Sequence, residues 1–279
     1  MTAFTAIARR LAPVLFAAVA CAAQAADKPF EPYSGQPGKD VVWVPTSQAM
    51  VDRMLDIAKL GAGDVHFDLG SGDGRTVITA AKRGAKSTGI EYNPDMVELS
   101  KKNAAAAGVG DKAVFMKADL FETDFSNASV VTLFLLPDIN LKLRPKILDM
   151  KPGTRIVSNT FTMGEWQDDA TSTVEEAQGC SYYCTAHLWI VPAKVAGTWQ
   201  MPQGELTLTQ EFQMLGGSLK TAEKSVPLRS GRVRGDVVNF NVGGVDYAGR
   251  INGNTMSGTI GGAGGGTWTA TRGGKPAAK

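Results

Sequence analysis

Between Val65 and Arg75 the chain reads Val-His-Phe-Asp-Leu-Gly-Ser-Gly-Asp-Gly-Arg, an apolar run closed by a carboxylate and followed by glycine at every other position. With the helix-like stretch from Thr76 to Lys82 behind it, this order predicts a strand, a tight turn and a helix start. Gly70, Gly72 and Gly74 let the backbone bend sharply and approach a bound group that any Cβ would hold off. The unpaired N–H groups of the helix start face the same point. In an open α/β sheet that is where a nucleotide-like ligand sits.

Spacing and charge separate two classes of ligand. A dinucleotide fingerprint wants glycine at the first, third and sixth positions, but here the sixth is Arg75 and the third glycine comes one residue early. Asp68 and Asp73 also set two carboxylates beside the turn, poor surroundings for a pyrophosphate and good ones for a cationic sulfonium and an amino group. Downstream, Lys86–Glu91 reads as a second strand ending in an acid suited to both hydroxyls of a ribose, and Ala113–Asp119 as a third whose acid suits an adenine amino group. Three successive acid-ended strands form one rim.

On these residues, the stretch from about 40 to 192 resembles the class I S-adenosylmethionine-dependent methyltransferases, whose D-x-G-x-G-x-G loop and two following acids correspond to Asp68–Gly74, Glu91 and Asp119. Leu69–Arg75, Val44-Pro45-Thr46 and Lys151–Ser158 are similar, more narrowly, to the seven-strand protein-lysine methyltransferases. The resemblance implies a doubly wound, Rossmann-like α/β domain over residues 41–193, a seven-strand sheet whose last strand is antiparallel. It implies S-adenosylmethionine as cofactor, with Asp68, Gly70, Ser71, Gly72 and Gly74 at the amino acid end, Glu91 at the ribose, and Asp119 and Leu120 at the adenine. Pro45 and Thr46 would come from a segment closing over the cofactor; a plain turn and helix cap describes them equally well. A helix follows from about Ser47 to Leu60, capped by Thr46 or Ser47.

The apolar fourth strand, Ser129–Leu136, leads into Pro137-Asp138-Ile139-Asn140, and in the family the turn after this strand faces the departing methyl. Asp138 and Asn140, with Asn159 at the end of a fifth strand Arg155–Thr160, are therefore the expected catalytic residues, orienting or deprotonating the acceptor. An Asp and an Asn ahead of Leu141-Lys142-Leu143 equally describe a helix cap. Phe161 is expected near the acceptor channel with Thr160, and Trp166 and Trp189 as further neighbours, an aromatic wall for an aliphatic amine stem, although plain packing is the commoner role of aromatic residues in such loops. The Asn/Asp-Pro-Pro-aromatic tetrad of many amino-group methyltransferases is absent, which speaks against a nucleic-acid base or a glutamine amide as acceptor. The resemblance points to a protein lysine.

Residues 1–25 have the three parts of a secretory signal peptide: Arg9-Arg10, an apolar stretch Leu11–Ala23, and the small-x-small site Ala23-Gln24-Ala25. The apolar part is short for a membrane span, and the mature chain is expected to be exported, to a periplasm, without a transmembrane span. Cys21 as a lipid anchor lacks the usual leucine where Ala18 stands. Without the two arginines of the signal, 27 basic residues face 27 acidic ones, a balance that argues against non-specific nucleic-acid binding. Residues 26–40, rich in proline and glycine, read as an extended lead-in.

Cys180 and Cys184, separated by Ser181-Tyr182-Tyr183, favour a disulfide in an oxidising compartment, with a metal site including His187 as the competing idea; no resident metal is expected. His66, inside the first strand, reads as a core residue. From Ala196 the texture alternates apolar and polar residues between glycines, predicting a second, all-β antiparallel domain over 196–272, a meander or small barrel, before a tail 273–279. Asn252-Gly253, Gly243-Gly244 and Gly216-Gly217 mark its expected hairpins. Residues 196–279 carry 9 basic and 5 acidic residues, a mild cationic bias. Two other readings stay open: an exported, non-catalytic protein holding an adenosine-type ligand and meeting an envelope partner through the β domain, and a methyltransferase for a small molecule. Oligomeric state is not legible.

Overall fold

The computed structural model describes residues 1–2, 30–262 and 265–273; residues 3–25 of the expected signal peptide, with Cys21, and residues 274–279 of the tail lie outside them. The chain divides at Glu31 into two units, of which the first, Met1–Glu31, is described only at its ends. All that follows concerns the second.

That unit opens with α1 (Gln48–Ile57), β1 (Val65–Leu69), α2 (Arg75–Lys82), β2 (Lys86–Glu91), α3 (Pro94–Ala106), β3 (Ala113–Lys117), β4 (Val130–Leu133), α4 (Pro137–Leu148), β5 (Arg155–Asn159), β6 (Ala170–Thr173) and β7 (Thr185–Ile190). Their seven strands form one sheet in the order β3-β2-β1-β4-β5-β7-β6, with β1 to β5 parallel and β7 antiparallel to both β5 and β6. The expected seven-strand sheet with its antiparallel last strand is thus observed. The order reverses between β1 and β4, so their C-terminal ends flank a crevice.

Local chemistry fixes the elements around that crevice. Ser47, one of the two expected caps, accepts from Met50 N, and Met50, Val51, Met54 and Leu55 bury one face of α1. Asn93 caps α3 by accepting from Asp95 N, and Pro94 takes the first turn where its missing N–H costs nothing. The cap of α4 is Leu136, with no side-chain bond, and Asp138 stands inside the first turn; neither it nor Asn140 caps the helix.

Eight further strands, β8 (Gly197–Met201), β9 (Gly204–Glu211), β10 (Met214–Lys220), β11 (Ser225–Arg234), β12 (Val237–Val242), β13 (Val245–Asn252), β14 (Thr255–Ile260) and β15 (Gly266–Arg272), close into an antiparallel barrel. Closure leaves no open edge. Trp199, Phe240, Tyr247 and Trp268 are buried in it, with Phe240 and Tyr247 stacked 5.0 Å apart. Gly243-Gly244 is a hairpin turn as expected; the turn expected at Asn252-Gly253 falls one residue later, on Gly253 and Asn254, and Gly216-Gly217 lies within β10 at a register shift. A Cβ on Gly217 would come 1.9 Å from Thr207 O on β9, so the glycine answers to strand approach, not to a turn.

The barrel is fastened beside β6. The Arg232 guanidinium meets the buried Asp169 carboxylate at 2.7 Å, Gln213 Nε2 donates to Gln167 O at 2.7 Å, and Phe212 stacks on Trp166 at 6.1 Å. Among the described residues no helix is long and apolar enough to cross a membrane.

Candidate active site

A cavity opens at the C-terminal ends of β1, β2, β3 and β4, where the sheet order reverses. It is lined by the glycine loop with Asp68, by Glu91, by Ala118-Asp119-Leu120, by Phe134, Leu135, Leu136 and Ile139 after β4, by Phe161 and Tyr183, and by residues 36–46.

The glycine turn is held from several sides. Gly70 N and Ser71 N both donate to Ile90 O, at 2.9 and 3.0 Å, while Ser100 Oγ and Asn103 Nδ2 donate to the carbonyls of Gly72 and Asp73. Gly70, Gly72 and Gly74 have φ of 80°, 54° and 82°, the left-handed region that favours glycine. The Glu91 carboxylate is fixed by two backbone donors, Gly72 N at 3.0 Å and Asn93 N at 2.9 Å. Ser71, buried against Gly89, has a hydroxyl without a protein partner. Asp73 is gripped by the Arg75 guanidinium, closest at 2.5 Å, whose Nη1 also donates to Thr46 O at 2.7 Å. The charge offered to a ligand at this end is therefore that of Asp68 and Glu91, not the Asp68–Asp73 pair expected from the sequence.

Behind Asp68 runs a chain of hydrogen bonds into the sheet. Thr132 Oγ1 donates to Asp68 Oδ1 at 2.6 Å, His66 Nε2 lies 2.8 Å from Thr132 Oγ1, and His66 Nδ1 lies 2.6 Å from Ser87 Oγ. Burial pushes the Asp68 carboxyl up to about 7; the Thr132 bond opposes this, and the charges of Glu91 and Asp73 add to the rise. Burial holds His66 down at about 3, so its ring is neutral at physiological pH.

At the adenine end Asp119 has a partner that sequence reasoning missed. Lys39 Nζ stands 2.5 Å from Asp119 Oδ2 and 5.1 Å from the Tyr92 ring centroid. The lead-in is not merely extended: Trp43 N donates to Gln36 O, Gly35 N donates to Trp43 O, and Pro37 bridges to Val42, folding residues 35–43 back over the cavity. Trp43 then lies against the turn, its Nε1 2.5 Å from where a Cβ on Gly72 would stand. The proline and glycine spacing signalled a turn here, but nothing in it located the strap over the cavity. Pro45 and Thr46 also line the cavity.

The three expected catalytic residues do not. Asp138 is exposed on the first turn of α4. Asn140 is buried and donates from Nδ2 to Phe161 O and Thr162 O, bracing the loop after β5. Asn159 is buried, its Oδ1 accepting from Thr160 Oγ1. Trp166 and Trp189 belong to the core, packed against each other at 6.2 Å. The end of the cavity beyond β4 is aromatic: Phe134, Phe161 and Tyr183 meet there, the last carried by the loop that the Cys180–Cys184 disulfide closes. A cap-like Asp-x-Asn looks the same in sequence whether it faces a cavity, solvent or a neighbouring loop.

The residues present fit an aminoacyl nucleoside with a positive sulfur. Carboxylates stand at the ends of neighbouring strands, and a side chain at position 72 would fill the cradle beneath Trp43. Fold and site together define an S-adenosylmethionine-dependent methyltransferase. Residues 68–170 match the ANTKMT methyltransferase domain. The chain is 42% identical over 139 residues to the protein-lysine N-methyltransferase of Saccharolobus islandicus, covering 86% of that protein and 49% of this one. It is 32% identical over 129 residues to the adenine nucleotide translocase lysine N-methyltransferase of Mus musculus, spanning 56% of that protein and 46% of this one. A crystal structure described as an RNA methyltransferase from Salinibacter ruber, in complex with S-adenosylhomocysteine, is 47% identical with a TM-score of 0.51, over 96% of that chain and 55% of this one. The chain belongs to the methyltransferase family these proteins share, and S-adenosylmethionine is its methyl donor.

Proposed function

We propose that the acceptor is a protein lysine. The observation carrying this is the aromatic, open end of the cavity, where the loops after β4 and β5 supply Phe134, Leu135, Leu136, Ile139 and Phe161 but no charged side chain. Such a port suits a slender aliphatic stem ending in an amine. Relatives named for lysine methylation support the reading.

Bound S-adenosylmethionine supplies a methyl group activated by the positive sulfur. Asp68, Gly70, Ser71, Gly72 and Gly74 are assigned its amino acid end, Glu91 the ribose hydroxyls, and Asp119 and Leu120 the adenine, with Pro45 and Thr46 covering it. Asp119 would accept from an adenine amino group in place of Lys39. The aromatic port aligns the lysine stem and excludes water, which is most of what an activated methyl requires. With no carboxylate from the β4 or β5 loop in the cavity, the amine gives up its proton to solvent before attack, and kcat/KM rises with pH.

We also propose an exported protein working in an oxidising compartment, on the strength of residues 1–25 and the Cys180–Cys184 disulfide. Nucleic acid is the second acceptor to test, since the Salinibacter protein is described as an RNA methyltransferase. The test is labelled methyl transfer from S-adenosylmethionine into envelope protein and, separately, into RNA. Label recovered as methyl-lysine, and lost in Asp68→Ala and Glu91→Ala, is expected; label in RNA alone overturns the lysine reading.

A further inference from the structure

We propose that Tyr183 is a specificity-determining residue for the acceptor and that the Cys180–Cys184 disulfide holds it in place, so that acceptor recognition, but not cofactor binding, depends on that bond. The proposal rests on the lysine reading and adds to it the element that completes the port.

Three rings reach the mouth from three different loops. Phe134 follows β4, and Phe161 comes one residue after Thr160, whose φ of 63° turns the chain at the end of β5. Tyr183 sits inside the five-residue ring closed by the disulfide. The Phe134 and Phe161 rings are nearly parallel, with 6.0 Å between centroids and 17° between planes. Tyr183 stands across them, 5.1 Å from Phe134 at 59° and 6.1 Å from Phe161 at 48°. Two walls therefore belong to the sheet's own loops, and the third is an addition to them.

That third wall is only half-buried. Tyr183 is 44% exposed and its neighbour Tyr182 is 84% exposed, so packing alone does not fix the loop. Tyr183 also has φ of 59°, a backbone state that a tyrosine enters at a cost. Cys180 is buried in the core beneath α1, and the covalent tie to Cys184, the residue before β7, forces the intervening residues outward as a short arch. The arch carries Tyr183 toward the cavity.

The rings are also left free to receive a positive charge. Among the described residues Tyr92, Phe121, Phe125, Phe212 and Trp199 each have a lysine or arginine of the chain over the ring, whereas none lies over Phe134, Phe161 or Tyr183. Three unclaimed aromatic faces at the end of a cavity suit an alkylammonium or its amine, through cation–π attraction and apolar contact with the stem. Asp68, Glu91 and Asp119 at the cofactor end owe nothing to this loop, so the two halves of recognition separate.

The experiment compares wild type, Tyr183→Ala, Tyr183→Phe and a Cys180→Ser/Cys184→Ser double variant. Each is assayed for S-adenosylhomocysteine affinity by calorimetry and for labelled methyl transfer as a function of envelope-extract protein. Dithiothreitol is included as one arm; it reduces the disulfide to two thiols and is itself oxidised to its cyclic disulfide. Tyr183→Ala and the double variant should raise half-saturating acceptor by about tenfold, the scale of a desolvated ring contact, with S-adenosylhomocysteine affinity unchanged within twofold. Tyr183→Phe keeps wild-type behaviour. Reductant should reproduce the defect in wild type and leave the double variant as it was. An unchanged acceptor dependence in Tyr183→Ala, or a parallel loss of S-adenosylhomocysteine affinity, overturns this proposal while the lysine reading stands. Wild-type label absent from protein overturns both.

Discussion

His66 Nε2 lies 2.8 Å from Thr132 Oγ1, and the single hydrogen of that hydroxyl is already given to Asp68 Oδ1 at 2.6 Å. Thr132 can therefore only accept from His66, which places the ring proton on Nε2 and leaves Nδ1 to accept from Ser87 Oγ at 2.6 Å. Three donors point the same way, from Ser87 through His66 and Thr132 to the carboxylate at the cavity floor.

Replacing the ring breaks the middle of this chain. His66→Leu leaves Ser87 Oγ buried without its partner and Thr132 Oγ1 without its donor. Urea unfolding should show a loss of about 1–3 kcal/mol, the cost of stranding a buried polar group. A stability equal to wild type would show that water or a shifted hydroxyl restores the bonds.

Stability should respond to pH through two opposed groups. His66 titrates near 6.5 when unfolded and at about 3 when folded, so the unfolded chain holds the extra proton between those values and stability rises with pH there. Asp68 titrates near 3.8 unfolded and at about 7 folded, so the folded chain holds the extra proton and stability falls as pH rises through that window. The slopes offset one another between about pH 4 and 6.5. Asp68→Asn removes one of them, and its unfolding free energy from urea titration should climb across that range by up to about 1.4 kcal/mol per pH unit. A flat profile in the variant would contradict the buried, neutral state of His66.

The same carboxyl ties cofactor binding to a proton. Because Asp68 is about half protonated near pH 7 in the free protein and is ionised to meet a positive ligand, S-adenosylmethionine affinity should rise as pH increases from 5 to 7 and then level. Calorimetry in buffers of different ionisation heat should register a proton released on binding below pH 7. Asp68→Asn should bind more weakly and without this proton.

Gly72 carries two demands at once, a φ of 54° and a Trp43 Nε1 only 2.5 Å from the site of a Cβ. Gly72→Ala should cost about 1–2 kcal/mol in backbone strain and displace the tryptophan, lowering S-adenosylhomocysteine affinity. Adding Trp43→Ala removes the collision but not the strain. The double-mutant cycle should therefore show coupling in affinity, and additivity would remove Trp43 from the role of covering the turn.

Lys39 holds the carboxylate assigned to the adenine. Lys39→Ala should raise S-adenosylhomocysteine affinity by about two- to threefold, an effect that shrinks in high salt as expected of an exposed ion pair. Weaker binding instead would mean that the strap holds the ligand more than the lysine blocks it.

What could be read in the chain follows the reach of each signal. The strand, glycine turn and helix at Val65–Lys82 were legible because every part is local, set by glycine conformations and a short apolar run. The acids at 68, 91 and 119 converge because parallel strands end on one side, a consequence of topology that spacing alone implies. That Asp138, Asn140 and Asn159 stand outside the cavity lining was not legible, because the direction of a side chain at a loop–helix junction is decided by packing. Asn140 turns to the Phe161 and Thr162 carbonyls, distant in sequence. Lys39 with Asp119 and Gly217 beside Thr207 were illegible for the same reason: each is a tertiary neighbour.

The barrel joins the sheet at the pole away from the chemistry. Ala193 N donates to Gly235 O just past the end of β7, and Gly153 ahead of β5 packs against Gly235, whereas the cavity opens where β1 and β4 finish. A module grafted there can be gained, lost or reshaped by descent without touching a residue that meets the donor or the methylated group. The ANTKMT match, ending at residue 170, stops before the barrel begins.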